Sequence, residues 1–167
     1  MKSICLSFQI HQPLRHRRYR FFDIGNDHYY YDDYTNETVI KNLAEKCYLP
    51  ANNLLLKLAK NLKGKFKVAF SISGSALEMF EVYSPEVIRS FKKLNKTGCI
   101  EFLSETWSHS LSSLSDKSIF ESQVKMHEKL IFELFGQKPS VFRNTEMIYS
   151  DEIGSHIYKM GYKGVIT

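Results

Sequence analysis

The chain is 167 residues long, 43% apolar and 25% charged, which is enough for one domain with a substantial core and unlike the composition of a disordered segment. Its net charge of +5 is carried by interleaved acids and bases, so a dedicated nucleic-acid surface is not indicated. No window comes near the roughly 18 uninterrupted apolar residues of a membrane span, and residues 1–10 turn polar and aromatic before a signal-peptide core can form, so a soluble, cytoplasmic protein is expected.

In chain order, Ile4, Leu6, Phe8 and Ile10 alternate with polar residues and predict a first strand. Val39, Ile40, Leu43, Ala44 and Cys47 form a helical stripe, and Pro50, suited to a first helical turn, is expected to open a second helix through Leu62. Phe66, Val68, Phe70 and Ile72 repeat the strand period, and Ser84-Pro85-Glu86 starts a helix ending near Gly98. Residues 99–103 form a third predicted strand. A helix carrying Phe120, Val124, His127, Ile131 and Leu134 on one face stops at Gly136. Residues 140–143 form a fourth strand, Ser150 caps a helix closed by Gly161, and residues 163–167 form a fifth strand. Of Cys5, Cys47 and Cys99, two fall in predicted strands, where a free thiol packs as a small hydrophobe. No disulfide framework or zinc knuckle is implied.

Strands alternating with helices predict an α/β fold with a parallel sheet, either doubly wound or part of a β/α barrel. A final strand with no helix to cover it is expected to belong to a longer barrel, with residues 1–167 its N-terminal portion. In barrels the reacting groups sit just past the strand ends. There the sequence offers His11-Gln12-Pro13, then Ser73 to Glu78, then Glu105-Thr106-Trp107-Ser108-His109, then Asn144-Thr145-Glu146. This set of imidazoles and carboxylates suits the binding of hydroxyls and the handling of protons at a sugar.

Each residue also has a plainer reading. His11 can be a packing residue, Glu78 a first-turn helix acid, Trp107 core and His109 a loop cap. His127 and His156 lie on helical patterns and read as packing or surface residues. Glu146 stands out because it follows Val141-Phe142-Arg143, where a carboxylate is expected to be partly buried beside a cation that keeps it ionised. Residues 18–34 hold Tyr19, Phe21, Phe22, Tyr29, Tyr30, Tyr31 and Tyr34, suited either to the apolar faces of sugar rings or to a loop folded on its own hydrophobic cluster. The basic run Arg15 to Arg20 is followed by Asp23, Asp27, Asp32, Asp33 and Glu37 and reads as a locally compensated loop.

With these residues in place, the sequence resembles glycoside hydrolase family 57, in its α-amylase-type branch. The matching pieces are Phe8-Gln9-Ile10-His11-Gln12-Pro13, the run Ser71 to Glu78, Glu105-Thr106-Trp107-Ser108-His109-Ser110-Leu111 and the run Phe142 to Tyr149. The resemblance implies a seven-stranded, incomplete β/α barrel of which this chain holds the N-terminal five strands. It implies no catalytic metal or other cofactor, and hydrolysis or transfer at α-1,4-glucosidic bonds with retention, in polysaccharide metabolism. Carried over, Glu146 is the nucleophile, His11 and Glu78 line the substrate subsite, and Trp107 and His109 are wall residues. The acid/base aspartate belongs to a later strand, beyond Thr167, so the chain alone is expected to lack turnover and to self-associate through its uncovered sheet.

Other readings make different demands. A glucanotransferase, a branching enzyme or an inactive carbohydrate-binding fragment would share these motifs. A metal-dependent deacetylase or mannosidase on a related partial barrel would need three directed ligands, with His11 and His109 among them. A single-stranded nucleic-acid binder would use Arg17, Arg18, Arg20 and the tyrosines, and leave Glu78 and Glu146 without a role.

Overall fold

A computed structural model describes residues 4–62 and 64–167 of the chain, so residues 1–3 of the opening stretch lie outside the described residues. Strands form where the alternation predicts them: β1 (Ser7–Ile10), β2 (Val68–Ile72), β3 (Ile100–Phe102), β4 (Val141–Arg143) and β5 (Gly164–Ile166). All strand pairings are parallel, with Ile10 beside Ile72 and Phe70 beside Phe102. The expected run of five strands in one sheet is corrected. There is a three-stranded sheet in the order β1-β2-β3 and a two-stranded sheet β4-β5, joined by a single parallel bridge between Ser104 and Phe142.

The reason is a change of partner at the end of β3. The Leu103 N–H still donates to the Phe70 carbonyl at 2.8 Å. The next residue turns to β4, with the Ser104 N–H donating to Val141 O at 2.9 Å and Arg143 N–H donating to Ser104 O at 2.8 Å. β3 therefore shares only its last turn of backbone with β4, and the two sheets meet at the strand ends where the polar motifs lie.

The period of two sorts the side chains. Ile10, Val68, Phe70, Ile72, Ile100 and Phe102 belong to the main core with Phe80, Val87, Phe91 and Ile131 from the helices. Phe142 joins a smaller core with Phe120, Val124, Ile153, Ile157 and Tyr162. The intervening positions, Gln9, Ser71 and Arg143, face away from the helices and carry the polar groups of the site.

The crossovers are α1 (Asp33–Leu43), α2 (Leu49–Asn61), α3 (Gly74–Tyr83), α4 (Pro85–Asn95), α5 (Lys117–Phe135) and α6 (Asp151–Lys159). Pro50 lies in the first turn of α2, as expected, but the chain does not leave helical conformation ahead of it. A π-helical turn, Ala44–Tyr48, carries α1 directly into α2, with Leu43, Tyr48 and Leu49 all in right-handed helical conformation. Pro50 lacks the N–H that an α-helix would use and its ring crowds the preceding turn, so a locally wider turn accommodates it without ending the helix. Between β2 and Ser84 the chain forms the separate helix α3, so Glu78 sits in its second turn and the first turn holds no acid. The caps of the last two helices follow the sequence: Gly136 adopts φ 69° after α5, and the Ser150 hydroxyl accepts from Ile153 N–H at the start of α6. The three cysteines are free; Cys99 is buried, but Cys5, ahead of β1, and Cys47, in the π-helical turn, are exposed.

Among the described residues no helix is long and apolar enough to cross a membrane.

Candidate active site

The carboxyl ends of β1 to β4 bring Gln9 and His11, Ser71 and Ser73, Glu105 and His109, and Arg143 and Glu146 to one rim. At the centre is the His109 imidazole. Its Nδ1 lies 3.2 Å from Glu105 Oε2 and its Nε2 lies 3.1 Å from Glu146 Oε1. One ring thus bridges two carboxylates of opposite character. The Glu105 side chain is fully buried, whereas that of Glu146 is 71% exposed. The second Glu105 oxygen accepts from the Ser71 hydroxyl at 2.9 Å, so both of its oxygens are engaged.

Below this pair, buried His127 from α5 ties the floor together. Its Nε2 donates to the Ile72 carbonyl at 2.7 Å, and its Nδ1 accepts from the Glu105 N–H at 3.4 Å. That pairing requires the neutral tautomer. Burial lowers the His127 pKa below its ordinary value and so favours the same form.

His11 stacks on His109 with ring centroids 4.5 Å apart, and its Nδ1 is 2.8 Å from the Ser73 hydroxyl, whose oxygen caps α3 by accepting from Ala76 N–H. Burial, and then the neighbouring His109 charge, push the His11 pKa down. The hydrogen bond to Glu105 pushes that of His109 up, against desolvation and with help from Glu146. The stacked pair therefore divides its protons unequally: His109 is the favoured imidazolium and His11 the favoured neutral imidazole.

Glu78 on α3 and Trp107 from the loop after β3 form a neighbouring group. The Trp107 carbonyl accepts from Ser75 N–H at 3.2 Å, and its indole lies so close to Gly74 that a Cβ there would approach the ring to under 3.0 Å. Glu78 lies one helical turn beyond Gly74 on the same side. Desolvation raises its pKa, and a hydrogen bond from the Trp107 side chain opposes that rise.

His11, His109 and Glu146 are thus joined by direct contacts, while Glu78 and Trp107 adjoin them through the Ser73–Ser75 segment. The expected environment of Glu146 is corrected. Its side chain is exposed, and Arg143 at the end of β4 instead donates to Gln9 Oε1 of β1 at 2.7 Å. Gln9 in turn lies 3.1 Å from His109 Nε2 through its amide nitrogen. Sequence reasoning named Glu105 only as part of a motif and gave Gln9 no role. The period of two, which sets Gln9, Ser71 and Arg143 on one face, was the available signal.

A further feature had no sequence signal. Among the described residues, the non-glycine positions with positive φ are His109 (55°), Glu146 (52°) and Met147 (56°), all at this rim. Left-handed backbone costs a residue with a side chain roughly 1–2 kcal/mol, and such strain collects at functional sites.

The aromatic segment is neither a buried cluster nor a loose coil. Tyr19 packs on Tyr30 at 5.1 Å and Arg17 pairs with Asp27, so the basic run is compensated locally there. Phe21 and Phe22 remain 79% and 82% exposed. Among the described residues no group of three or more His, Cys, Asp or Glu is arranged to hold a metal ion.

Comparison with known proteins adds ancestry to this geometry. The family described as Glycosyl hydrolase family 57 matches residues 5–167. A protein of Methanocaldococcus jannaschii named "Putative alpha-amylase" is 38% identical over 167 residues, covering 98% of this chain and 35% of that protein, so the chain spans about a third of that relative's length. The 4-alpha-glucanotransferase of Thermococcus litoralis superposes with a TM-score of 0.70 at 19% identity, over 96% of this chain and 21% of that one. The Bc1960 peptidoglycan N-acetylglucosamine deacetylase superposes with a TM-score of 0.59 at 15% identity, over 96% and 54% of the two chains. At these identities the two structural likenesses establish the fold alone.

Proposed function

The chain belongs to glycosyl hydrolase family 57, and on that premise we propose that it forms the nucleophile half of a retaining glycoside hydrolase site acting on α-1,4-glucans. The observation that carries the reading is Glu146: an exposed carboxylate on left-handed backbone at a strand end, held through one oxygen by His109. With Oε1 engaged, Oε2 is the oxygen that attacks the anomeric carbon. The neutral His11 imidazole and Glu78 bond sugar hydroxyls, and Trp107 offers an apolar wall beside them.

A retaining mechanism also needs a carboxylic acid roughly 5 Å away to protonate the leaving oxygen. Glu105 is buried with both oxygens occupied, which argues against it as that donor. We assign the donor to a later strand, completing a barrel to which these five strands contribute one part. Hydrolysis and glucan transfer share these steps and differ in whether water or a sugar hydroxyl resolves the glycosyl ester.

The metal-dependent deacetylase reading is not favoured. Both nitrogens of His109 face carboxylates, which leaves it no free ring nitrogen for a metal.

An activated donor tests the nucleophile without the acid. In α-glucosyl fluoride the C–F bond breaks with its electron pair leaving as fluoride, no proton is needed, and a C–O bond forms to Glu146. The 167-residue chain is expected to show no turnover of soluble α-1,4-glucan, since general acid assistance is worth on the order of 10²–10⁴ in rate. It is expected to accumulate a glucosyl ester on the peptide containing Glu146, seen as a mass increase that Glu146→Gln abolishes. An adduct on another residue, or glucan turnover that survives Glu146→Gln, would defeat the assignment.

A further inference from the structure

We propose that Glu105 and His109 act as a positioning relay for Glu146, in which a buried carboxylate orients an imidazole that anchors one oxygen of an otherwise exposed carboxylate. The inference rests on the assignment of Glu146 as nucleophile and adds two residues to its machinery. In this reading His109, set between Glu105 and Glu146, moves from the substrate wall to a supporting position.

The geometry is that of a chain anchored at its buried end. Ser71 and His127 fix Glu105, the first through Oε1 and the second through its backbone N–H. Glu105 Oε2 then faces His109 Nδ1 at 3.2 Å, and His109 Nε2 faces Glu146 Oε1 at 3.1 Å. A ring that faces a carboxylate at each nitrogen donates to both only as the imidazolium, whose Nε2 then does not accept from the Gln9 amide 3.1 Å away. The groups around it are His11 from the end of β1, Glu105 from its own loop and Glu146 from the end of β4. Gln9 lies against its nitrogens and is itself held by Arg143.

The anchoring has a purpose that burial elsewhere does not serve. Glu146 is on exposed, left-handed backbone, and a long carboxylate side chain there would sample many rotamers. Tying Oε1 to a ring that is itself tied to the floor removes that freedom and leaves Oε2 aimed at the mouth. Misplacement of a reacting group by about 1 Å can cost on the order of 10² in rate.

The test uses the intact 167-residue chain with isotope-labelled histidines. His109 is assigned from the signal lost in His109→Gln, and its titration is followed by NMR in wild type, Glu105→Gln and Glu146→Gln. Its midpoint is expected above the ordinary histidine value of 6.5 and to fall by about one pH unit in Glu105→Gln and by less in Glu146→Gln. A midpoint unmoved by both substitutions overturns the relay. Because Glu105→Gln alters a buried site and risks misfolding, Glu146→Gln at the exposed rim and Ser71→Ala at the anchor serve as further variants, each expected to move the midpoint downward.

Positioning is read separately from the rate of ester formation with α-glucosyl fluoride. His109→Gln is expected to slow it about 10–100-fold without abolishing it, and an unchanged rate overturns the positioning role. Failure of the nucleophile assignment looks different: wild type then forms no ester on Glu146, whatever the His109 titration shows.

Discussion

Glu105 and Glu146 approach the same imidazole from opposite sides, yet belong to two regions built on different physics. The floor, formed by Glu105, Ser71 and His127, is buried and its polar groups are paired with one another. The rim, formed by Glu146 and Met147, is exposed and strained, and Glu146 reaches the protein through one hydrogen bond to His109. The floor can be rigid because its groups are paired, and the rim presents an open oxygen because one of its atoms is not. Two carboxylates of equal chemistry thus differ in burial: one is held at both oxygens, the other leaves an oxygen open.

Removing one carboxylate at a time gives the largest separation between the two. Glu105→Ala leaves His109 and Ser71 without their partner inside the fold, and is expected to cost about 3–5 kcal/mol of stability. Glu146→Ala is expected to cost less than about 1 kcal/mol, as for exposed pairs. Urea unfolding of both variants measures this, and equal losses would erase the distinction between floor and rim.

The pH dependence of stability sharpens the comparison at a smaller scale. His127 has a depressed pKa in the folded chain, so below about pH 6.5 the unfolded chain takes up a proton that the folded one refuses. Stability then falls with decreasing pH by up to about 1.4 kcal/mol per pH unit. His109 has the opposite sign: its pKa is raised on folding, so its contribution is complete below the unfolded value and is lost as pH rises through the folded one. Denaturation midpoints across pH 5–8 are expected to lose the acid slope in His127→Gln and the alkaline decline in His109→Gln. Slopes unchanged by either substitution would reject the assigned charge states.

The smallest effect tests the strain at the rim. Met147→Gly replaces an exposed residue at φ 56° by one that adopts this conformation freely, and is expected to stabilise the chain by up to about 1 kcal/mol. A loss of stability in the same urea measurement would mean that the Met147 side chain supplies more contact than its backbone costs.

The strands and most helices were legible because their period is local: Phe8 and Ile10, or Val68 and Phe70, announce a face within a few residues. Reading past the strand ends also picked out His11, His109 and Glu146, which contacts join at one rim, and Glu78 and Trp107 beside them. What escaped depends on juxtaposition. Gln9 and Arg143 meet across 134 positions of sequence, and nothing near either one names the other. Glu105 looks like any strand-end acid until the end of β3 is seen sinking between Ser71 and His127. The left-handed residues carry no glycine to mark them, and the helix through Pro50 survives by a π-helical turn that no residue type advertises.

The contact between Trp107 and Gly74 gives the molecule an optical property. The chain holds a single Trp, so its entire indole fluorescence comes from one place, the start of α3 beside Glu78. Emission from this chain is therefore not an average over the fold but a local signal, from the ring that lies against Gly74 and hydrogen-bonds Glu78.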